Sequence, residues 1–227
     1  MDKCGRTFAA AMNPCPAFNL LQEAAKNLVT KAMDVFLRFG IKSVNMEDLA
    51  RELGVSKKTL YKHFQDKKEL IQLGMEQHCL ELEAIILKAS SAEGNAIDSE
   101  LRIMKHVHQV ASQMHPSILY DLQKYHPIAF SNLIRSRDEI LLGAVESNIK
   151  RGQNEGVYRQ EVDPGVAAQF LVSISSTVRE MAQDTSNHKP IAQLYWQSGL
   201  YHIHAISSPQ GLDYLHTKLA ADFHPIS

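Results

Sequence analysis

From residue 21 the apolar positions recur every three or four residues. Leu21, Ala25, Leu28, Ala32, Val35, Phe36 and Phe39 form one stripe at a 3.6-residue period, and Gly40 supplies a stop. The pattern predicts a helix over 21–39. The next three helices are marked by capping chemistry. Asn45 stands three residues before Asp48, with Val44 and Leu49 where a hydrophobic staple needs its two members, which predicts a helix over 46–53. Gly54 ends that helix and Ser56 caps another, with Val55 and Leu60 at the staple positions, after a turn of about three residues. Asp66 and Glu69 form a third box and open a long helix to about residue 89, with Leu70, Leu73, Gln77 and Leu80 on one stripe. Gly74 inside it costs about 1 kcal/mol relative to alanine, so a packing or bending reason is expected there.

Beyond a linker at 90–95 every segment keeps the helical period. Ile103, Val107, Val110 and Met114 form one stripe, and Phe130, Ile134, Leu141 and Val145 another; Pro116 and Pro127 stand where first-turn prolines begin helices. The 154–156 stretch breaks the chain. Asp163 then caps a helix with Pro164 first in it, and Val166, Phe170, Ile174, Val178 and Met181 share a face. A loop at 185–190, a helix over 191–206 and a last one opened by Ser208 and Pro209, with Leu212, Leu215 and Leu219, complete the chain. No strand-like alternation, repeat or low-complexity tract occurs. The expected fold is all-α, with about ten helices. Residues 1–19, with Gly5, Pro14 and Pro16 and no apolar period, read as a flexible leader; 20–66 reads as a three-helix module, and 67–227 as a second, larger helical domain.

Charge changes this picture because its total conceals its distribution. The formal net charge is −1. Residues 21–70 carry ten Lys/Arg against seven Asp/Glu, whereas 71–227 carry twelve against seventeen, which makes a basic module on an acidic body. Cys4, Cys15 and Cys79 are an odd, scattered set with no C-x-x-C pair, which fits a reducing cytoplasm and neither a zinc site nor a disulfide framework. The stretch from Phe8 to Met12 is too short for a signal peptide, and no apolar run approaches the roughly 20 residues of a membrane helix. A cytoplasmic protein with no membrane partner is expected.

Two short helices joined by a glycine-containing turn and preceded by a third describe a helix-turn-helix. In the third helix Leu60 and Phe64 are one turn apart and face the core with Leu49, Leu53 and Phe36. Lys57, Lys58, Tyr61 and Lys62 then form the opposite face, which suits a DNA groove. Lysines meet phosphates and release counterions, Tyr61 can donate to phosphate or lie against sugar, and Thr59 and His63 can reach base edges. Asn45 and Ser56 cap the two helices, and the helix N-termini at Asn45 and Lys67 can each hold a phosphate. Residues 51–68 carry six cations against Glu52 and Asp66.

The run Phe36-x-x-x-Gly40, Glu47-Asp48-Leu49-Ala50, Gly54-Val55-Ser56, Thr59-Leu60-Tyr61 and His63-Phe64, followed by Lys67 and Leu70, closely resembles the signature of the tetracycline repressor (TetR) family over about residues 21–75. A weaker echo lies at Gly152-x-x-x-Gly156-x-x-Arg159 with Asp163-Pro164. Lys58 departs from the pattern, since many members have a small residue or arginine there. The resemblance implies a transcriptional regulator that binds palindromic operator DNA as a homodimer, its last two long helices packed against their symmetry mates, and a small molecule that enters the C-terminal domain. Phe170, Ile174, Val178, Leu194, Ser198, Gly199 and His202 are the expected dimer interface; the small residues Ser173, Ser175, Ser176 and Thr177 would also allow close helix approach. A mostly apolar effector, anchored by His108, His115 and Tyr120 and walled by Tyr125 and Phe130, is the expected ligand. His106-x-His108 and His202-x-His204 each split across a helix and make poor metal sites. With no nucleophile elbow, H-E-x-x-H or phosphate loop, no enzyme, cofactor or metal is expected. A DNA-binding structural or division-linked protein of the same fold, without an inducer, is the alternative reading.

Overall fold

The computed structural model describes residues 16–183 and 189–222. Most of the expected leader, including Cys4 and Cys15, and most of the expected 185–190 loop lie outside them. Apart from one antiparallel bridge between Tyr158 and Ser207, the regular structure of the described residues is helical. The helices are α1 (Pro16–Asn19), α2 (Glu23–Phe39), α3 (Met46–Glu52), α4 (Lys57–His63), α5 (Lys67–Ser91), α6 (Ala96–Gln113), α7 (Ile118–Tyr125), α8 (Pro127–Asn154), α9 (Pro164–Gln183), α10 (Ile191–Ile206) and α11 (Pro209–Asp222). The all-α class is as expected, and Pro127, Pro164 and Pro209 each stand at the first helical position. Pro116 does not, because α7 begins two residues later behind Ser117.

The chain forms two compact units, residues 1–83 with 113–140 and residues 84–112 with 141–227. Helices α5 and α8 each have residues in both units, so the expected division at residue 66 does not coincide with these units. In the first unit Phe36, Leu49, Leu60, Phe64, Leu70 and Ile71 are buried in one cluster that joins α2 to α5. Phe18 belongs to it too, and its N–H donates to Glu76 Oε2 at 3.0 Å. The last residues of the expected leader are therefore fixed by an aromatic anchor. Phe39, placed on the buried stripe by periodicity, is exposed, with the Arg38 guanidinium 5.2 Å from its ring centre. Gly74 has the packing reason its position demanded. A Cβ there would lie 2.2 Å from Met33 Sδ, so α2 crosses α5 where the latter has no side chain.

The second unit is built around Ile97, Leu101, Ile149, Tyr158, Ile203 and Leu215. Within it the Tyr158 hydroxyl donates to Glu100 Oε2 at 3.0 Å, and Asn148 Nδ2 donates to the Ala96 carbonyl at 3.1 Å. Burial pushes the Glu100 carboxyl up from its ordinary value, opposed by His202, Tyr158 and Asn148. Asn95 opens α6 with a capping box that the linker reading of 90–95 passed over: its Oδ1 accepts from Ile97 N (2.9 Å) and Asp98 N (3.2 Å), while Asp98 Oδ2 accepts from Asn95 N (3.0 Å).

Replacing Gly74 by alanine sets two effects against each other. Helix propensity favours alanine by about 1 kcal/mol, while the Met33 clash costs about 1 to 3 kcal/mol. The clash should win, so thermal unfolding of Gly74→Ala should begin below wild type. A midpoint equal to or above wild type would show that Met33 swings aside at no cost.

Candidate nucleic-acid interface

The module is assembled from its caps outward. Asn45 Oδ1 accepts from Glu47 N (2.8 Å) and Asp48 N (3.0 Å), and Asp48 Oδ2 returns the favour from Asn45 N (3.0 Å). Arg51 Nη2 donates to Asp48 Oδ1 at 2.7 Å. The Asn45 amide and the guanidinium hold the Asp48 carboxyl below the usual carboxylate range. Gly54 then adopts φ +65°, a left-handed conformation that lets the chain reverse between α3 and α4. Ser56 Oγ accepts from Thr59 N at 3.0 Å and pairs with Thr59 Oγ1 at 2.8 Å.

Helix α4 is anchored by Leu60, 0 % exposed, with Phe64 just beyond it at 1 %. Because both lie on one side, Lys57, Lys58, Tyr61 and Lys62 are all turned outward and exposed, with His63 half-buried. Tyr61 keeps 48 % of its surface free. Lys57 has Glu47 at 3.8 Å, both side chains well solvated, a pair of little energetic weight. The His63 ring leans against Phe64, with centroids 6.1 Å apart. The arrangement gives a convex surface about two helical turns long, with three ammonium groups around a phenol.

The other sequence-predicted groups fall differently. The Asn45 oxygen is occupied by the cap, and Glu47 and Asp48 already place two carboxylates in the first turn of α3, which opposes an anion there. The Ser56 and Thr59 hydroxyls are paired with each other, so they meet bases only in competition with their own cap. Lys67 is turned inward. Its ammonium donates to the Ile41 and Val44 carbonyls and sits 5.4 Å from the Phe36 ring centre. Burial lowers its pKa, partly offset by Asp121 and Asp48. Lys67 was expected to reach outward to a phosphate; here it is directed at the main chain, since the stem of a lysine at the start of a helix can as readily fold back onto carbonyls as reach out.

The five residues expected to line a ligand pocket are divided between the two units. His108 is in the second unit, edge-on to Trp196 with centroids 6.1 Å apart. The others are in the first unit. His115 pairs with Ser117 Oγ at 3.0 Å, and Phe130 packs on the hydrophobic cluster. Tyr120 and Tyr125 are exposed, with Lys124 5.0 Å and 5.6 Å from their ring centres. A cavity of about 130 Å³ does lie in the first unit, lined by Gln72, Met75, Glu76 and Cys79 of α5 and by Ala129, Asn132, Leu133, Arg135 and Ser136 of α8. Helical periodicity names a face but not its neighbour, and of these lining residues the sequence singled out Cys79 alone, as an isolated thiol.

The expected dimer residues divide. Phe170 and Ile174 are exposed, at 65 % and 40 %, and Leu194 is half-buried. Val178, Ser198, Gly199 and His202 are buried within the protomer. A Cβ on Gly199 would lie 2.7 Å from Met104 Cε, so this glycine admits α6. His202 Nε2 lies 3.8 Å from Glu100 Oε1. Val166, Met181 and Tyr201, absent from the expected interface, are exposed with Phe170 and Ile174. On α9 they make one apolar stripe, 166–170–174–181.

Residues 28–73 match the family model of bacterial regulatory proteins of the tetR family. The HTH-type transcriptional regulator SrpR of Pseudomonas putida is 33% identical over 64 residues, which are 27% of this chain and 30% of SrpR. The match thus spans well under half of that relative. Over a larger share of the chain the similarity is one of fold. A transcriptional regulator from Cytophaga hutchinsonii superposes with a TM-score of 0.67 at 17% identity, over 82% of this chain and 100% of that one. A TetR transcriptional regulator from Chloroflexus aurantiacus gives 0.59 at 15% identity, over 82% and 97%.

The Asp48 cap carries a signed pH dependence. Its folded pKa lies below the unfolded value of about 3.9, so its stabilisation is present above that value and is lost as pH falls through the folded one. Wild type should exceed Asp48→Asn in urea midpoint at pH 7, and the gap should narrow as pH falls below about 4. A gap of constant size as pH falls would contradict the assigned role of the carboxylate.

Proposed function

We propose, for a chain whose residues 28–73 match the family model of bacterial regulatory proteins of the tetR family, a cytoplasmic, ligand-responsive repressor that binds palindromic operator DNA as a homodimer. Transcription regulation through DNA binding is the family's activity. The observation that carries the more specific reading is the orientation of α4. Leu60 and Phe64 are buried, and three lysines and a tyrosine face water with no protein surface of their own unit to cover them.

On this reading Lys57, Lys58 and Lys62 meet phosphates, Tyr61 lies at the backbone, and His63 and Thr59 read bases from the ends and edge of the helix. Thr59 reaches thymine through its methyl group without breaking its hydroxyl pair with Ser56. Two copies pair through the exposed stripe of α9, with Phe170 as its largest side chain. A two-fold interface sets two copies of α4 about 34 to 36 Å apart, one turn of duplex.

The effector is a mostly apolar small molecule. Ligand sites run about 300–1,000 Å³, so the 130 Å³ cavity beside α5 and α8 must widen to admit one. Widening there moves α5, which begins three residues after Phe64. Occupancy and the position of α4 are coupled in this way.

Selection of bound sites from random duplex DNA provides the operator. Lys57→Ala and Lys62→Ala should then each weaken binding similarly on all sequences and lower the slope of log K against log salt by about one. His63→Ala should change the preferred base by about 1 to 3 kcal/mol. Full operator affinity in a Lys57/Tyr61/Lys62 triple alanine variant would remove α4 from the interface. For the pairing surface, Phe170→Glu should convert a dimer at micromolar concentration to a monomer by light scattering; a dimer of unchanged stability would place the interface elsewhere.

A further inference from the structure

The segment between α2 and α3 is short, solvent-adjacent and free of regular structure, and it leads directly into α3. Gly40 leaves α2 at φ +82°, Ile41 and Val44 are buried at 1 % and 6 %, and Asn45 closes the segment as the cap of α3. Its main chain is gripped from two sides. From α5, the Lys67 ammonium donates to both the Ile41 and Val44 carbonyls. From α7, Asp121 Oδ2 accepts from Lys42 N at 2.9 Å and from Ser117 Oγ at 3.2 Å. Asp121 is only 4 % exposed. The Phe36 ring lies under the same ammonium, so the charge is shared among two carbonyl dipoles and an aromatic face, with Asp121 and Asp48 as the nearby carboxylates.

We propose that Lys67 is a positioning residue of the DNA-reading module: it sets the pose of α3 and α4 from inside the protein by clamping the carbonyls of 41 and 44, and it contributes to DNA affinity without touching a phosphate. The proposal rests on the reading of α4 as the DNA-facing helix. Three features support it against outward rotation. Two acceptors are satisfied by one donor group, so releasing it leaves both carbonyls without a charged partner. The ammonium lies 5.4 Å from the ring centre of Phe36, itself 0 % exposed. And the adjacent Lys68 is exposed, so the start of α5 already offers a cation to solvent that has no such internal task. The charge of Lys67 is thereby distinguished from that of Lys57, Lys58 and Lys62, although all four fall in one basic run.

The role has a signature that a phosphate contact does not share. A lysine that neutralises a phosphate releases counterions, and its loss lowers the salt slope by about 0.9. A lysine that orders a loop changes the affinity and leaves the slope alone. The full-length protein carrying Lys67→Met, which keeps an unbranched stem and removes the charge, should bind selected operator DNA about tenfold more weakly, with the salt slope of wild type. Its free form should show faster amide hydrogen exchange at 41–48, where Asn45 caps α3. Lys68→Met should change neither exchange nor affinity by comparable amounts. In the wild-type protein, reductive methylation of lysines should leave Lys67 poorly reactive with and without DNA, while Lys57, Lys58 and Lys62 become protected when DNA is added; this holds even if Lys67→Met folds poorly. A slope lowered by about one in Lys67→Met, unchanged exchange at 41–48, or a Lys67 that reacts freely and is shielded only by DNA would each overturn the proposal. If instead DNA leaves Lys57, Lys58 and Lys62 reactive, the reading of α4 fails, and exchange at 41–48 still decides whether Lys67 clamps the loop.

Discussion

The burial of Leu60 and Phe64 against Phe36 and Leu49 governs what this module can present to a partner. A helix of seven residues has little stability of its own, because nucleation is costly and few hydrogen bonds repay it. Helix α4 therefore exists as a consequence of its packing, and its packing leaves one orientation. With those two side chains inward, Lys57, Lys58, Tyr61 and Lys62 have nowhere to go but outward. Burying two such side chains contributes roughly 3 to 6 kcal/mol, several times what any of the exposed ion pairs around them supplies. The order of effects is clear: apolar burial fixes the helix, and charge then acts on whatever approaches it.

The capping groups determine where the chain can turn, and they act at a different scale. The Asn45–Asp48 box and the Ser56–Thr59 pair satisfy amides that the short helices cannot satisfy internally. They also limit what those residues can do besides. A side chain that caps a helix has already used its acceptor, which is why Asn45, Ser56 and Thr59 stand at the edge of the candidate surface while the lysines stand at its centre. Lys67 belongs with the caps in this respect, since its donors are spent on the main chain.

Most of the module was legible in the sequence for a physical reason. Caps, staples and glycine stops are local signals, each confined to about five residues, and helix ends read from them agree with the observed ones within two residues at α3 and α4. The same reasoning recovered Gly74, because an unfavourable residue inside a helix needs a compensating contact, here with Met33. What could not be read depends on partners distant in sequence. Gly199 and Ser198 look like residues that admit a second chain, yet Gly199 serves Met104. His202 looks like an interface side chain and is buried beside Glu100. Phe18 carries no periodic neighbours to announce it, and only the fold brings Glu76 to its amide. His108, His115, Tyr120, Tyr125 and Phe130 share residue types suited to a pocket, but no local rule says that helices will bring them to one place.

The central claim is that the outward face of α4, and no other surface of comparable charge, meets the DNA. Amide hydrogen exchange of the whole protein with and without its selected operator tests this most directly. The account predicts that slowed exchange on adding DNA centres on residues 56–64, with a weaker effect at 45–48, where Glu47 lies 3.8 Å from Lys57. Slowed exchange centred on other helices, with 56–64 unchanged in a saturated complex, would contradict it.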